Sequence, residues 1–129
     1  MGDPAAFAKP KQLVSFFGLD PTERQSGNFR GTRNRLSKRG SGYARSALNM
    51  AAHTCICKNA KIGEPLNPVL AEYYEKKRTA KPAKVAICAV MHKIVNIVFA
   101  VLRDKKPFEL RDPKEHDRML KEHLASLAA

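Results

Sequence analysis

Apolar side chains recur at helical spacing in several stretches of this chain, and a long polar segment between the first two stretches has no sustained period. The first stretch, "LVSFFGL", follows Pro10-Lys11-Gln12, and Gly18 supplies a helix stop. Lys9 and Lys11 leave it amphipathic. Ser41 is placed to cap a second helix over residues 42–58, with an apolar stripe of Ala44, Leu48, Ala51, Ala52 and Cys55. Most of those side chains are small, so a neighbouring helix can approach closely. "GEPLNP" breaks the pattern, and Asn67-Pro68 reads as an N-cap followed by proline in the first turn. A third helix is predicted over residues 68–79, carrying Val69, Leu70, Tyr73 and Tyr74.

The longest apolar run, "VAICAVMHKIVNIVFAVL", covers residues 85–102. Its β-branched content leaves two strands as an alternative, but its length without turn residues favours one helix. It also approaches membrane-spanning length. His92, Lys93 and Asn96 interrupt its middle, however, and a central lysine is expensive in lipid. Lys84, His92, Asn96 and Arg103 fall near one stripe, so a buried helix with one polar edge is the better account, and no membrane partner is expected. After Pro113, Met119, Leu120, Leu124 and Leu127 alternate with charges, predicting a marginal helix that frays. The expected fold is mainly α: a small helical domain with an irregular basic loop or short hairpin between the first two helices.

Composition changes this picture through charge. The 129 residues suit one small domain, yet the net charge is +12 and the pI about 10. Such a field favours nucleic acid or an anionic surface as partner. No Asp or Glu occurs from Arg24 to Gly63, while that span holds nine Lys or Arg residues. Seven of them lie in "RQSGNFRGTRNRLSKRGSGYAR", residues 24–45. Three cysteines, Cys55, Cys57 and Cys88, give no disulfide framework, and the N-terminus has no apolar signal core; a bacterial cytoplasmic location is expected.

Most familiar chemistry is missing. His53, Cys55 and Cys57 lack the paired spacing of zinc sites, and Cys88 as a fourth ligand does not repair that. His116 and His123 read as solvated side chains, and His92 as the polar edge of its helix. Two-metal phosphoryl transfer needs several convergent carboxylates, and Asp20 with Glu23 makes a poor site. Neither a phosphate-cradling "GxxxxGK[ST]" nor a "GxSxG" elbow occurs. The basic segment remains. Arg and Lys there would neutralise phosphates, and glycines would let the backbone come close. A sharper reading makes one hydroxyl a nucleophile whose attack the surrounding arginines assist. Ser26, followed by Gly27 and flanked by Arg24 and Arg30, is better placed than Ser37 or Ser41, but residue chemistry alone leaves all three open.

The stretch from "GDPAAFAKPKQLVSFFGLDPTERQSGNFRGTRNRLSKRGSGYARSALNMAA" through "KPAKVAICAVMHKIVNIVFAVLRDKKPF" resembles the C-terminal transposase domain of bacterial insertion-sequence transposases. These are the enzymes with an N-terminal DEDD, RuvC-like nuclease domain, related to the Piv and MooV invertases. "GLDP", "SG", "RG", "LSKRG" and the "KPxK" helix, with an end like "LRDGKPF", carry the resemblance together; any one alone is weak. It covers roughly residues 2–108, so residues 1–108 are expected to be the serine domain, truncated at its N-terminal side, and residues 109–129 a charged tail with a helical pattern.

The resemblance implies a DNA recombinase that cuts and rejoins strands through a phosphoserine link. The family's serine lies in its "SG" motif, matched here by Ser26, with Gly27 giving the backbone room. Arg30, Arg33, Arg35, Lys38, Arg39 and Arg45 match basic positions around that motif and are the expected DNA or RNA contacts, with Arg24 a weaker one. No cofactor is expected on this chain, since Mg²⁺ would sit in the RuvC-like domain, which the sequence lacks. The chain is therefore expected to be a truncated product or isolated domain, inactive alone. Expected partners are DNA, a structured guide (bridge) RNA, and full-length transposase subunits or further copies of itself. The rival expectation is a non-catalytic basic binding module, or an inhibitor of a full-length relative.

Overall fold

A computed structural model describes residues 6–22, 25–26, 29–30 and 35–128. The fold is mainly α. In chain order the elements are α1 (Pro10–Phe16), β1 (Gln25–Ser26), β2 (Phe29–Arg30), α2 (Gly42–Ile56), α3 (Pro68–Arg78), α4 (Ala83–Asp104) and α5 (Pro113–Ala128). The strands form a two-stranded antiparallel hairpin, pairing Gln25 with Arg30 and Ser26 with Phe29.

Helix ends follow local chemistry. Pro10 opens α1, and the Gln12 side chain reaches back to accept from the Ala8 and Lys9 amides. Ser41 Oγ accepts from the Ala44 amide at 3.4 Å, and Asn67 Oδ1 from the Leu70 amide at 3.1 Å. α2 stops at Ile56, two residues before the predicted end. Cys57 turns extended there, and Lys58 bridges to Pro65 across a tight loop through Gly63, whose φ is +75°.

α4 is the organising element and is one continuous helix, not two strands. It buries Ala86, Ile87, Val90, Met91, Val95 and Phe99 and packs against α1, α2 and α3. Leu13, Val14, Leu19, Ala52 and Leu70 complete the core. Ala52, fully buried, is the small residue that lets α2 approach. Among the described residues α4 alone is long and apolar enough to cross a membrane by length and composition. α5 is helical throughout but has no buried residue, and it touches the body along α3. The linker and α5 leave a cleft of about 950 Å³ against α3 and α4, reaching from Leu70 and Tyr73 to Leu120.

Candidate nucleic-acid interface

The segment between α1 and α2 is a long hairpin whose base is built from two of the motifs noted in the sequence, "GLDP" and "LSKRG". Pro21 bridges to Leu36. The Ser37 amide donates to the Asp20 carbonyl at 2.8 Å, and the Lys38 amide to the Gly18 carbonyl at 3.1 Å. Thr22 donates from both its amide (2.7 Å) and its hydroxyl (2.9 Å) to the Arg35 carbonyl. The motifs are thus two sides of one ladder. Four positions separate Pro21 from Gln25, but six separate Arg30 from Leu36, so the second, more basic arm carries two more residues.

The base is pressed against the end of α1. Gly18 has φ +65°, and a Cβ there would come within 2.7 Å of the Arg39 and Gly40 amides. A Cβ on Gly40 would lie 2.0 Å from the Phe16 carbonyl oxygen. Both positions need glycine because two backbones cross where a side chain would stand. His92 of α4 adds a tie, with Nε2 2.9 Å from the Leu19 carbonyl oxygen. A carbonyl only accepts, so that nitrogen carries the proton.

The candidate residues fall into three groups. Arg24, Gly27 and Arg33 lie outside the described residues. Ser26 ends β1, and Arg30 ends β2 opposite Gln25. Arg35, Lys38 and Arg39 line the returning arm at the hairpin base with exposed side chains, and none of the three meets a carboxylate of the described residues in a salt bridge. Lys38 has φ +55°, left-handed backbone that a residue with a Cβ adopts at a cost. Arg45 is different. It is half-buried, and its guanidinium donates to the Gly40 carbonyl at 2.5 Å and the Phe17 carbonyl at 3.3 Å. It clamps the hairpin base to the C-terminal end of α1.

The three candidate hydroxyls also separate. Ser41 caps α2. Ser37 Oγ donates to Asp20 Oδ1 at 2.5 Å. That hydrogen bond, helped by the nearby Arg39 charge, holds the Asp20 carboxyl below its ordinary range. A carboxylate so stabilised is a poor proton acceptor, so the pair is a pin and not an activated nucleophile. Ser26 ends β1 on the hairpin's first arm, where its backbone pairs with Phe29.

Metal chemistry finds little support in the side chains. Among the described residues no three His, Cys, Asp or Glu side chains converge to hold an ion. Burial pushes the Cys55 and Cys88 thiols up, which suits packing better than reactivity. Among the described residues, then, no donor set fits an Mg²⁺ ion. The cleft between α3, α4 and α5 includes no residue of the hairpin.

Sequence reasoning missed the Asp20–Ser37 pin, the Thr22–Arg35 contact and the glycine crossing. Their one signal was that two motifs, each weak alone, stand at opposite ends of the aperiodic segment.

The pilin gene-inverting protein of Moraxella lacunata is 30% identical over 112 residues, covering 86% of this chain and 33% of that protein. Its namesake in Moraxella bovis matches to the same extent. The insertion element IS900 uncharacterized 42 kDa protein of Mycobacterium paratuberculosis is 34% identical over 104 residues, covering 80% of this chain and 24% of that protein. The chain thus spans about a third or less of the length of these relatives. Residues 1–75, which include α1, the hairpin and α2, match the Transposase IS116/IS110/IS902 family, and the chain belongs to that family.

Proposed function

We propose that this chain is the serine-bearing, nucleic-acid-gripping domain of a DNA transposase or recombinase, acting in the bacterial cytoplasm. The observation that carries the reading is the hairpin: an acid-free basic returning arm, pinned at its base, paired with a first arm that ends β1 at Ser26. Membership of a transposase family supports it, as does likeness to proteins named for inverting a gene, which is a DNA rearrangement.

On this reading Arg30, Arg35, Lys38 and Arg39, with Arg24 and Arg33 on the same segment, neutralise phosphates and set the register of the duplex. The Ser26 oxygen attacks phosphorus, a P–O bond to it forms, and the bond to one strand breaks, leaving that end as a hydroxyl. Cationic side chains offset the charge that grows on the non-bridging oxygens. Among the described residues no three His, Cys, Asp or Glu side chains converge to hold a metal, so on this reading cleavage draws on a RuvC-like domain that would supply Mg²⁺. A bridge RNA would supply the choice of sequence, and the chain would not cleave DNA alone.

The test supplies an intact RuvC-like partner and target DNA and looks for a protein–DNA adduct. Ser26→Ala is expected to abolish the covalent product while changing DNA affinity less than twofold. An adduct that survives in Ser26→Ala would remove the serine from this role. No adduct from either version, with affinity intact, would leave the chain a binding module or inhibitor.

A further inference from the structure

We infer that Tyr43 is a stacking platform for an unpaired nucleobase, held beside the phosphates that the hairpin base grips. The inference rests on the nucleic-acid reading above and adds to it the kind of strand this face accepts.

The three tyrosines of the chain are used in two ways. Tyr73 and Tyr74 pack against the core, and the Tyr73 ring also meets Lys77 and Lys93 at 5.3 and 5.1 Å. Tyr43 does neither. It is 92% exposed, more than any other large apolar side chain among the described residues. No ring or cation among those residues stacks on it.

Its backbone is fixed although its side chain is open. Tyr43 stands in the first turn of α2, which begins where the hairpin ends. Ser41 caps that turn, and the Arg45 guanidinium ties it to the Gly40 and Phe17 carbonyls. Tyr43 therefore keeps its place relative to the hairpin base and to α1. Arg39, an exposed cation, is four residues away, a chain distance of at most about 14 Å. A strand whose phosphates meet Lys38 and Arg39 brings its neighbouring bases within reach of the Tyr43 ring.

Charge selects the ligand. No Asp or Glu occurs in α2, and its one formal cation, Arg45, is taken up by the two carbonyls. Ala47, Met50 and Thr54 follow Tyr43 at spacings of four, three and four residues, and all are exposed. This outward face carries no charge, so a phosphate has nothing there to pair with. A base fits it better: planar, and carrying a π face that stacks on a phenol ring. Inside a duplex both faces of each base are already stacked. Tyr43 therefore takes a base that is unpaired, or one turned out of its stack. Bases of DNA and of RNA offer the same π face, so the experiment carries both.

The chain holds no tryptophan, so its intrinsic fluorescence comes from three tyrosines. The probes are oligothymidylate, oligouridylate and a blunt DNA duplex of matched length. Single strands are expected to quench one tyrosine's share of the emission, about a third, and the duplex little. Tyr43→Ala should abolish that quench and weaken single-strand binding about five- to hundredfold. Its duplex affinity, salt slope and melting temperature should stay at parental values, because no phosphate contact and no buried group is lost. Tyr43→Phe, which keeps the ring, should bind like the parent. If Tyr43→Ala melts lower, Tyr43→Leu, apolar but without a π face, carries the test. A loss with one single strand only assigns the base to DNA or to RNA. The inference fails if the variants without a ring bind both single strands as the parent does, or lose single strands and duplex equally. A chain that binds no nucleic acid in any form would overturn the nucleic-acid reading as well, whereas binding indifferent to residue 43 overturns this inference alone.

Discussion

Lys38 and Lys105 share a backbone oddity that separates two roles for a cationic side chain. Both sit in left-handed conformation, with φ +55° and +52°. Lys105 ends α4 where a glycine would serve best, and Lys38 lies inside the hairpin base. Replacing either with glycine should relieve about 1 kcal/mol of strain and raise the melting temperature by roughly 3–6 °C. The two should differ in binding. Lys38→Gly is expected to lower DNA affinity and reduce the salt slope by about one, whereas Lys105→Gly should leave both nearly unchanged. Equal losses in titrations of both variants would mean that binding follows net charge and not the hairpin. Arg45 makes the complementary point: it has the charge of a phosphate ligand but spends its donors on two carbonyls of its own chain.

Among the elements, the hairpin owes its order to its base. Its strands are two residues long, and a two-stranded ribbon alone is marginal in water. The ladder from Gly18–Lys38 to Thr22–Arg35 and the Asp20–Ser37 pin close the base, and Arg45 and His92 tie it to the end of α1 and to α4. Gly40→Ala should therefore act as a lever. Its methyl would meet the Phe16 carbonyl and push the base away from α1, costing about 1–3 kcal/mol. Hydrogen exchange should show lost protection at the Thr22, Ser37 and Lys38 amides, with α3 and most of α4 little changed. Uniform loss along the chain would show instead that the hairpin and helices unfold as one unit.

At the scale of the molecule, charge and apolar surface are segregated. α4 gathers the core, the acid-free segment makes the cationic hairpin, and α5 holds balanced charges and uncovered leucines. A net charge of +12 attracts any polyanion, so affinity alone says little about the interface. The informative quantity is its dependence on salt. Arg35→Glu/Arg39→Glu, both exposed, should flatten the salt slope by about two or more and weaken binding at low salt. An unchanged slope in a fluorescence-anisotropy titration would move the interface elsewhere on the surface.

Residue order by itself determined the helices, because their signals are local: Pro10, Ser41 and Asn67-Pro68 mark starts, and apolar spacing marks faces. It also determined the basic segment, since charge needs no fold to be counted. The tertiary structure decided what the residues of that segment do. Pairing of "GLDP" with "LSKRG" joins residues 15 to 20 positions apart, and no periodicity encodes such a contact. Nor can composition tell that Arg45 clamps Phe17 and Gly40, or that Ser37 is pinned to Asp20. Those distinctions depend on which carbonyls and carboxylates come within about 3 Å, and only the folded chain brings them there.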